Sequence, residues 1–104
     1  GRLGDAMQTL REHLTITERT RIPGGIETSL IAFAAIALQS GEPEKASRLL
    51  AKAAPGIRNL SAGAALRHYV RLVRQALDQG TAHRCRDEGL AMTIDEALAY
   101  ALEP

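Results

Sequence analysis

Asp95 and Glu96 form an adjacent carboxylate pair at the start of a helical pattern, and positioned carboxylates can act as general acids or bases. Thr93, however, stands three residues ahead of Glu96. This is the spacing of a capping box, in which hydroxyl and carboxylate each satisfy a backbone N–H of the first turn. Capping, with compensation of the helix dipole, accounts for both acids without any catalytic role. His83 and Cys85 are two residues apart. A zinc site needs three or four ligands, and no third residue joins them, so the reading is a partly buried thiol beside a solvated histidine.

His13 and His68 fall on helical patterns without an H-E-x-x-H arrangement, and no serine occupies a G-x-S-x-G elbow. Gly24-Gly25 ahead of a helix could present N–H groups to an anion, but the lysine and hydroxyl of a phosphate loop are missing. It reads as a plain turn. The sequence therefore assigns no catalytic residue, no metal ligand and no cofactor.

The most suggestive charges are Arg67, Arg71 and Arg74, which share one face of a helical pattern, with Arg84 and Arg86 further on. Such a face could meet an acidic protein surface, a neighbouring domain or DNA phosphates, but a simple solvated face is the favoured reading. Asp78 and Glu88 offset part of the charge, and Phe33, Tyr69 and Tyr100 are the only aromatic residues, so single-strand recognition by stacking is not expected.

The totals agree. Thirteen basic against twelve acidic side chains leave a formal net charge of +1, which argues against a protein held mainly by phosphate attraction. With 104 residues, 45% of them hydrophobic and 24% charged, the chain has the composition of one folded domain with one modest core. Cys85 is the single cysteine, so no internal disulfide can form, and a reducing, cytoplasmic setting is expected. The most apolar run, Leu30 to Leu38, falls short of the roughly 20 residues a bilayer-spanning helix needs. Gly1-Arg2-Leu3-Gly4-Asp5 carries no signal-peptide pattern, and the chain reads as a segment of a longer polypeptide.

The elements that must position these residues are all helical. Leu3, Met7, Leu10 and Leu14 make one stripe of a first helix over Leu3 to Glu18, followed by a loop ending in Pro23-Gly24-Gly25. Ile26 to Gln39 is apolar on most sides and alanine-rich, as in a helix packed between others. Gly41 reads as a left-handed C-cap and Pro43 as the first residue of the next helix, whose buried face is Ala46, Leu49, Leu50 and Ala53 up to Pro55-Gly56. Ser61 is expected to cap a long helix striped by Leu66, Tyr69, Val70, Val73 and Leu77 and ending near Gly80. Thr81 is expected to open a short helix to about Glu88 with little apolar surface. Thr93 caps the last helix, with Ile94, Ala97, Leu98, Ala101 and Leu102 on its apolar side. No strand pattern occurs.

Counting from Gly41 as a turn glycine, Ala34 takes the small-residue place where two helices cross, and Ala46, Leu50 and Ala53 take small, bulky and small places on the second helix. Over about Glu27 to Pro55 the sequence resembles a tetratricopeptide repeat. Leu30 stands in the place of its tryptophan, Ala37 in that of its tyrosine, and the terminal proline comes early. An ordinary antiparallel helix pair is the alternative. Such hairpins need stacking neighbours or a cap, a part assigned to the helices from Ser61 onward.

"GEPEKASRLLAKAA", the arginine-bearing helix and "GLAMTIDEALAYAL" together are similar to the tail of the helical-repeat region in large bacterial transcriptional regulators. Those carry an ATPase module, tetratricopeptide-like helices and often a LuxR-type helix-turn-helix. The similarity spans about Gly25 to Leu102 and is most specific from Gly89 onward. It departs at "HRCRDE", where such proteins have a more apolar helix, so looser packing is expected there.

The resemblance implies an all-α fold of tetratricopeptide-like antiparallel hairpins with C-terminal capping helices, in one domain over residues 1–104. It implies a non-catalytic module binding a protein or neighbouring domains of its own chain, with a homodimer left open and no direct nucleic-acid binding. The tetratricopeptide alignment puts Thr28, Ile31, Ala35 and Gln39 on the groove-facing side of the hairpin's first helix. Contact with nucleic acid through Arg67, Arg71 and Arg74 is the alternative function, ahead of a small enzyme.

Overall fold

The computed structural model describes Gly4, Asp5, Gln8, Glu12 and residues 25–103. The four N-terminal residues among these are helical, and Gln8 Nε2 donates to Glu12 Oε1 at 3.3 Å, one turn on. The rest of the first expected helix, with His13 and the Pro23-Gly24 turn, lies outside the described residues. From there five helices follow: α1 (Gly25–Gln39), α2 (Pro43–Ala53), α3 (Leu60–Ala76), α4 (Gln79–Ala91) and α5 (Ile94–Leu102), with a 3-10 turn at Ala54–Gly56. No strand occurs among the described residues, and the fold is all-α.

Each boundary has a local chemical cause. At the end of α1, Gly41 takes φ +78°, and the Glu42 and Gly41 N–H groups donate to the carbonyls of Ala37 (2.8 Å) and Leu38 (3.2 Å). That pair of bonds is a Schellman closure, which a left-handed glycine permits. Pro43 then opens α2 at a position where no free N–H is needed. Thr93 and Glu96 form the expected capping box at α5 in both directions.

Two boundaries differ from the sequence reading. Asn59, not Ser61, caps α3, its Oδ1 accepting from the Ala62 N–H at 2.7 Å. Asp78, not Thr81, caps α4, accepting from the Thr81 N–H and hydroxyl, both at 2.8 Å. Asparagine and aspartate cap at least as well as serine and threonine, and here they sit earlier in the chain. In consequence α3 ends at Ala76 rather than near Gly80, and α4 runs on to Ala91. Leu77, now extended, and Asp78 form a sharp corner between them.

The core is built where helices can come close. Leu30, Phe33, Ala34 and Ala37 of α1 pack against Ala46, Leu49, Leu50 and Ala53 of α2, joined by Val73 of α3 and by Ala97, Leu98 and Ala101 of α5. The alanines set a short separation between axes. Leu30, Phe33, Leu49 and Leu50 supply most of the burial, each contributing about 1.5–3 kcal/mol relative to exposure. Ser29, the one fully buried hydroxyl in α1, donates to the Gly25 carbonyl at 2.9 Å.

Helix α2 is central, packing against α1, α3, α4 and α5. Its contact with α4 corrects the expectation of loose packing at "HRCRDE". Gly89 is buried, and a Cβ added there would overlap the Arg48 carbonyl, so the two helices meet backbone to backbone. By contrast α3 and α4 touch each other little.

Candidate functional site

Between α2, α3 and α4 lies a groove of about 550 Å³. Leu50 and Ala51 of α2 and Val70 and Val73 of α3 form its floor, and Ala82 and Leu90 of α4 its far wall. It exists because α3 and α4 both lie on α2 yet diverge from the Leu77–Asp78 corner. Arg74 on α3 and Arg86 on α4 stand over the two walls. Leu90, 43% exposed, is one of only two large apolar side chains that are so open among the described residues. A shallower, more polar concavity continues past Arg74, Ala82 and Arg86 toward Leu77, Gln79 and His83. The volume is that of an ordinary ligand or side-chain pocket.

The arginines of this region divide into two sets. Arg48 and Arg84 are neutralised in a cluster that fastens α4 to α2. Arg84 Nη2 sits 2.6 Å from Glu44 Oε1, and Arg48 reaches Glu88 Oε1 through both Nε and Nη2, at 3.2 and 3.1 Å. Arg48 Nη1 also donates to the Tyr100 hydroxyl at 3.0 Å, which draws in α5. Burial alone would make Arg48 easier to deprotonate, but Tyr100 and Glu88 outweigh it, and its pKa is raised. Lys45 adds a bond to the Glu103 carbonyl at 2.8 Å and lies over the Tyr100 ring. Arg74 and Arg86, in contrast, have no ion-pair partner among the described residues.

Cys85 is fully buried under this cluster, its Sγ 3.8 Å from Glu44 Oε1. Burial pushes its pKa up, against the pull of Arg48, so the thiol stays protonated at neutral pH. His83 is exposed and faces Asp87 at 3.7 Å rather than Cys85. No group of three or more His, Cys, Asp or Glu side chains among the described residues could hold a metal ion. Asp95 is exposed, and Glu96 is engaged in its cap.

The residues singled out from sequence fall in two places. Thr28 and Gln39 are exposed on α1 and Ala35 is half-buried, whereas Ile31, 5% exposed, belongs to the core. As placed, Ile31 contributes to packing and offers little surface to a partner. Arg67, Arg71 and Arg74 are all exposed along α3, and of the seven only Arg74 lines the groove. The sequence reading missed Leu90 and the pairing of Arg86 with Arg74 across the opening. A usable signal was present: Ala82, Arg86 and Leu90 recur every fourth residue, opposite Arg84 and Glu88.

No helix of the described residues is long and apolar enough to cross a membrane. Neither a family model, nor a curated protein, nor a solved structure matches the chain.

Proposed function

We propose that this chain is a non-catalytic interaction module that holds a partner protein, or a neighbouring domain of its own polypeptide, in the α2–α3–α4 groove. The observation that carries the reading is the groove itself. It joins an apolar floor of Leu50, Val70 and Val73 to two exposed arginines without ion-pair partners among the described residues. Ser47, the hydroxyl in its lining, has no histidine or carboxylate beside it in that lining. Buried apolar anchors ringed by polar groups are the anatomy of a protein interface. The resemblance to helical-repeat regions of bacterial transcriptional regulators supplies the setting. In that setting α1 and α2 are a tetratricopeptide-like hairpin, the later helices close its end, and the module works in the cytoplasm between an ATPase and a DNA-reading domain.

A photoreactive benzoylphenylalanine in place of Leu90, activated in cells producing the protein, tests this. The expected adduct is a polypeptide segment, identified by mass spectrometry as another protein or another part of the same chain. Absence of any polypeptide adduct would overturn the reading.

A second reading, contact with nucleic acid, is favoured by one observation: Arg67, Arg71 and Arg74 are exposed along one face of α3 without ion-pair partners among the described residues. Salt-sensitive binding to duplex DNA, abolished by charge reversal at all three, would replace the first reading with this one.

A further inference from the structure

We propose that the occupant of the groove is a single amphipathic α-helix with acidic flanks, laid between α3 and α4 with its apolar stripe on Leu50, Val70, Val73 and Leu90. This rests on the interaction-module reading and specifies the partner's chemistry.

Shape is the first argument. The lining of α4 runs from Gln79 to Leu90 through the two joined concavities, a path of roughly 16 Å at the helical rise, or about three turns. The trough is open along its outer side, where Arg74, Arg86 and Leu90 are all exposed. A small amphiphile needs most of its surface enclosed to bind well, whereas a helix buries one stripe and leaves the other in water. Because α3 and α4 already lie on α2 but barely on each other, a helix between them would complete the layer.

Charge is the second. Arg74 and Arg86 stand on opposite walls of the trough, and both also line its polar end. A helix with carboxylates on both flanks meets one arginine on each side while its leucines point down. Among the described residues no carboxylate pairs with either arginine. Glu88 and Arg84 are two residues either side of Arg86, about 200° around α4, and are spent on Arg48 and Glu44. Asp87 faces His83. Of the acidic side chains of α4, Glu88 thus points away from the groove and Asp87 is paired with His83 at the rim of its polar end, which leaves Arg74 and Arg86 as the unpaired charges along the opening.

The test uses fluorescence anisotropy with two capped peptides of about four turns. Both place leucines at i, i+3, i+4 and i+7, and their flanks are either glutamate or lysine. The glutamate peptide is expected to bind at least ~10-fold more tightly, with the gap narrowing as salt rises. In the Arg74→Glu/Arg86→Glu protein, shown by circular dichroism to remain folded, the preference should invert. Backbone amide shifts should concentrate at Val70, Ala82 and Leu90.

Equal affinity for the two peptides, or binding by neither, overturns the proposal. So does displacement of the glutamate peptide by dodecanoate at concentrations that do not unfold the protein, since a fatty acid would then be the better occupant. In each of these cases the Leu90 cross-link still reports separately whether the groove meets a polypeptide at all.

Discussion

Gly89 lies directly against the main chain of Arg48, so close that a Cβ at residue 89 would fall on the Arg48 carbonyl. This contact lets α4, which has few apolar residues, sit close enough to α2 for Arg48 and Arg84 to reach carboxylates on the other helix. Gly89→Ala is expected to destabilise the protein by about 1–3 kcal/mol despite alanine's better helix propensity, because one backbone must move off the other. Gly63 in α3 is the control. An added Cβ there meets no backbone, only the flexible end of Arg67 and a methyl of Ile57 at ordinary contact distance. Gly63→Ala should therefore stabilise by about 0.5–1 kcal/mol. Urea denaturation of the two variants checks the pair, and a neutral Gly89→Ala would contradict the close approach.

The ion pairs across α2 and α4 are partly exposed, and their worth should be modest and salt-dependent. A double-mutant cycle of Arg48→Met and Glu88→Gln is expected to give a coupling of about 0.5–1 kcal/mol at low ionic strength, shrinking in molar salt. Arg48→Met alone should cost more than Glu88→Gln alone, because it also removes the bond to Tyr100.

Asp78 and Glu96 hold their pKa values below the ordinary carboxylate range, each chiefly because it accepts a backbone N–H, from Thr81 and Thr93 respectively. A depressed folded-state pKa contributes stability that is full above the unfolded value, about 3.9 for aspartate and 4.3 for glutamate. That contribution drains away as pH falls through the folded value. The melting temperature should therefore decline from about pH 5 downward. Asp78→Asn, which keeps an acceptor for the Thr81 N–H, should flatten that decline while costing little at neutral pH. An unchanged acid limb would show that the cap does not titrate with folding.

Cys85, buried and with its pKa raised, should be nearly inert in the folded protein. Alkylation by iodoacetamide at pH 7.5–8 (a range chosen near the usual thiol pKa of about 8.5) should run on the order of 100-fold slower than in denaturant. The residual rate should follow local opening of α4. Fast native labelling would place the thiol at the surface.

Leu90→Glu should leave stability within about 0.5 kcal/mol, since the side chain is 43% exposed, yet it should abolish binding of the acidic helical peptide. Calorimetric melting together with anisotropy separates the two effects.

Much of the helix architecture could be read directly. Gly41, Pro43 and the Thr93–Glu96 pair carry local conformational demands that no distant contact alters, and Ala46, Leu49, Leu50 and Ala53 repeat at helical spacing. Those features appear where the sequence placed them. Two caps were misplaced because Asn59 and Ser61, like Asp78 and Thr81, are all competent caps. Only the turn of the chain at Leu77 decides between the last two. The hold of α4 on α2 was hidden for a different reason. It depends on a glycine and on charges forty residues distant, neither of which leaves an apolar stripe. The groove was least legible, since three helices build it and Arg74 and Arg86 stand out only once Glu44 and Glu88 are seen to pair with Arg84 and Arg48 instead.

The two walls of the groove are secured by different forces. On one side the stripe of Leu66, Tyr69, Val70 and Val73 holds α3 to the core by exclusion of water. On the other, α4 lies on α2 through the Gly89–Arg48 backbone contact and the buried Cys85, with the ion pairs of Glu44, Arg48, Arg84 and Glu88 at the edge. Added salt is therefore expected to take from the α4 jaw only the small share that its edge charges supply, and to leave the α3 jaw as it stands.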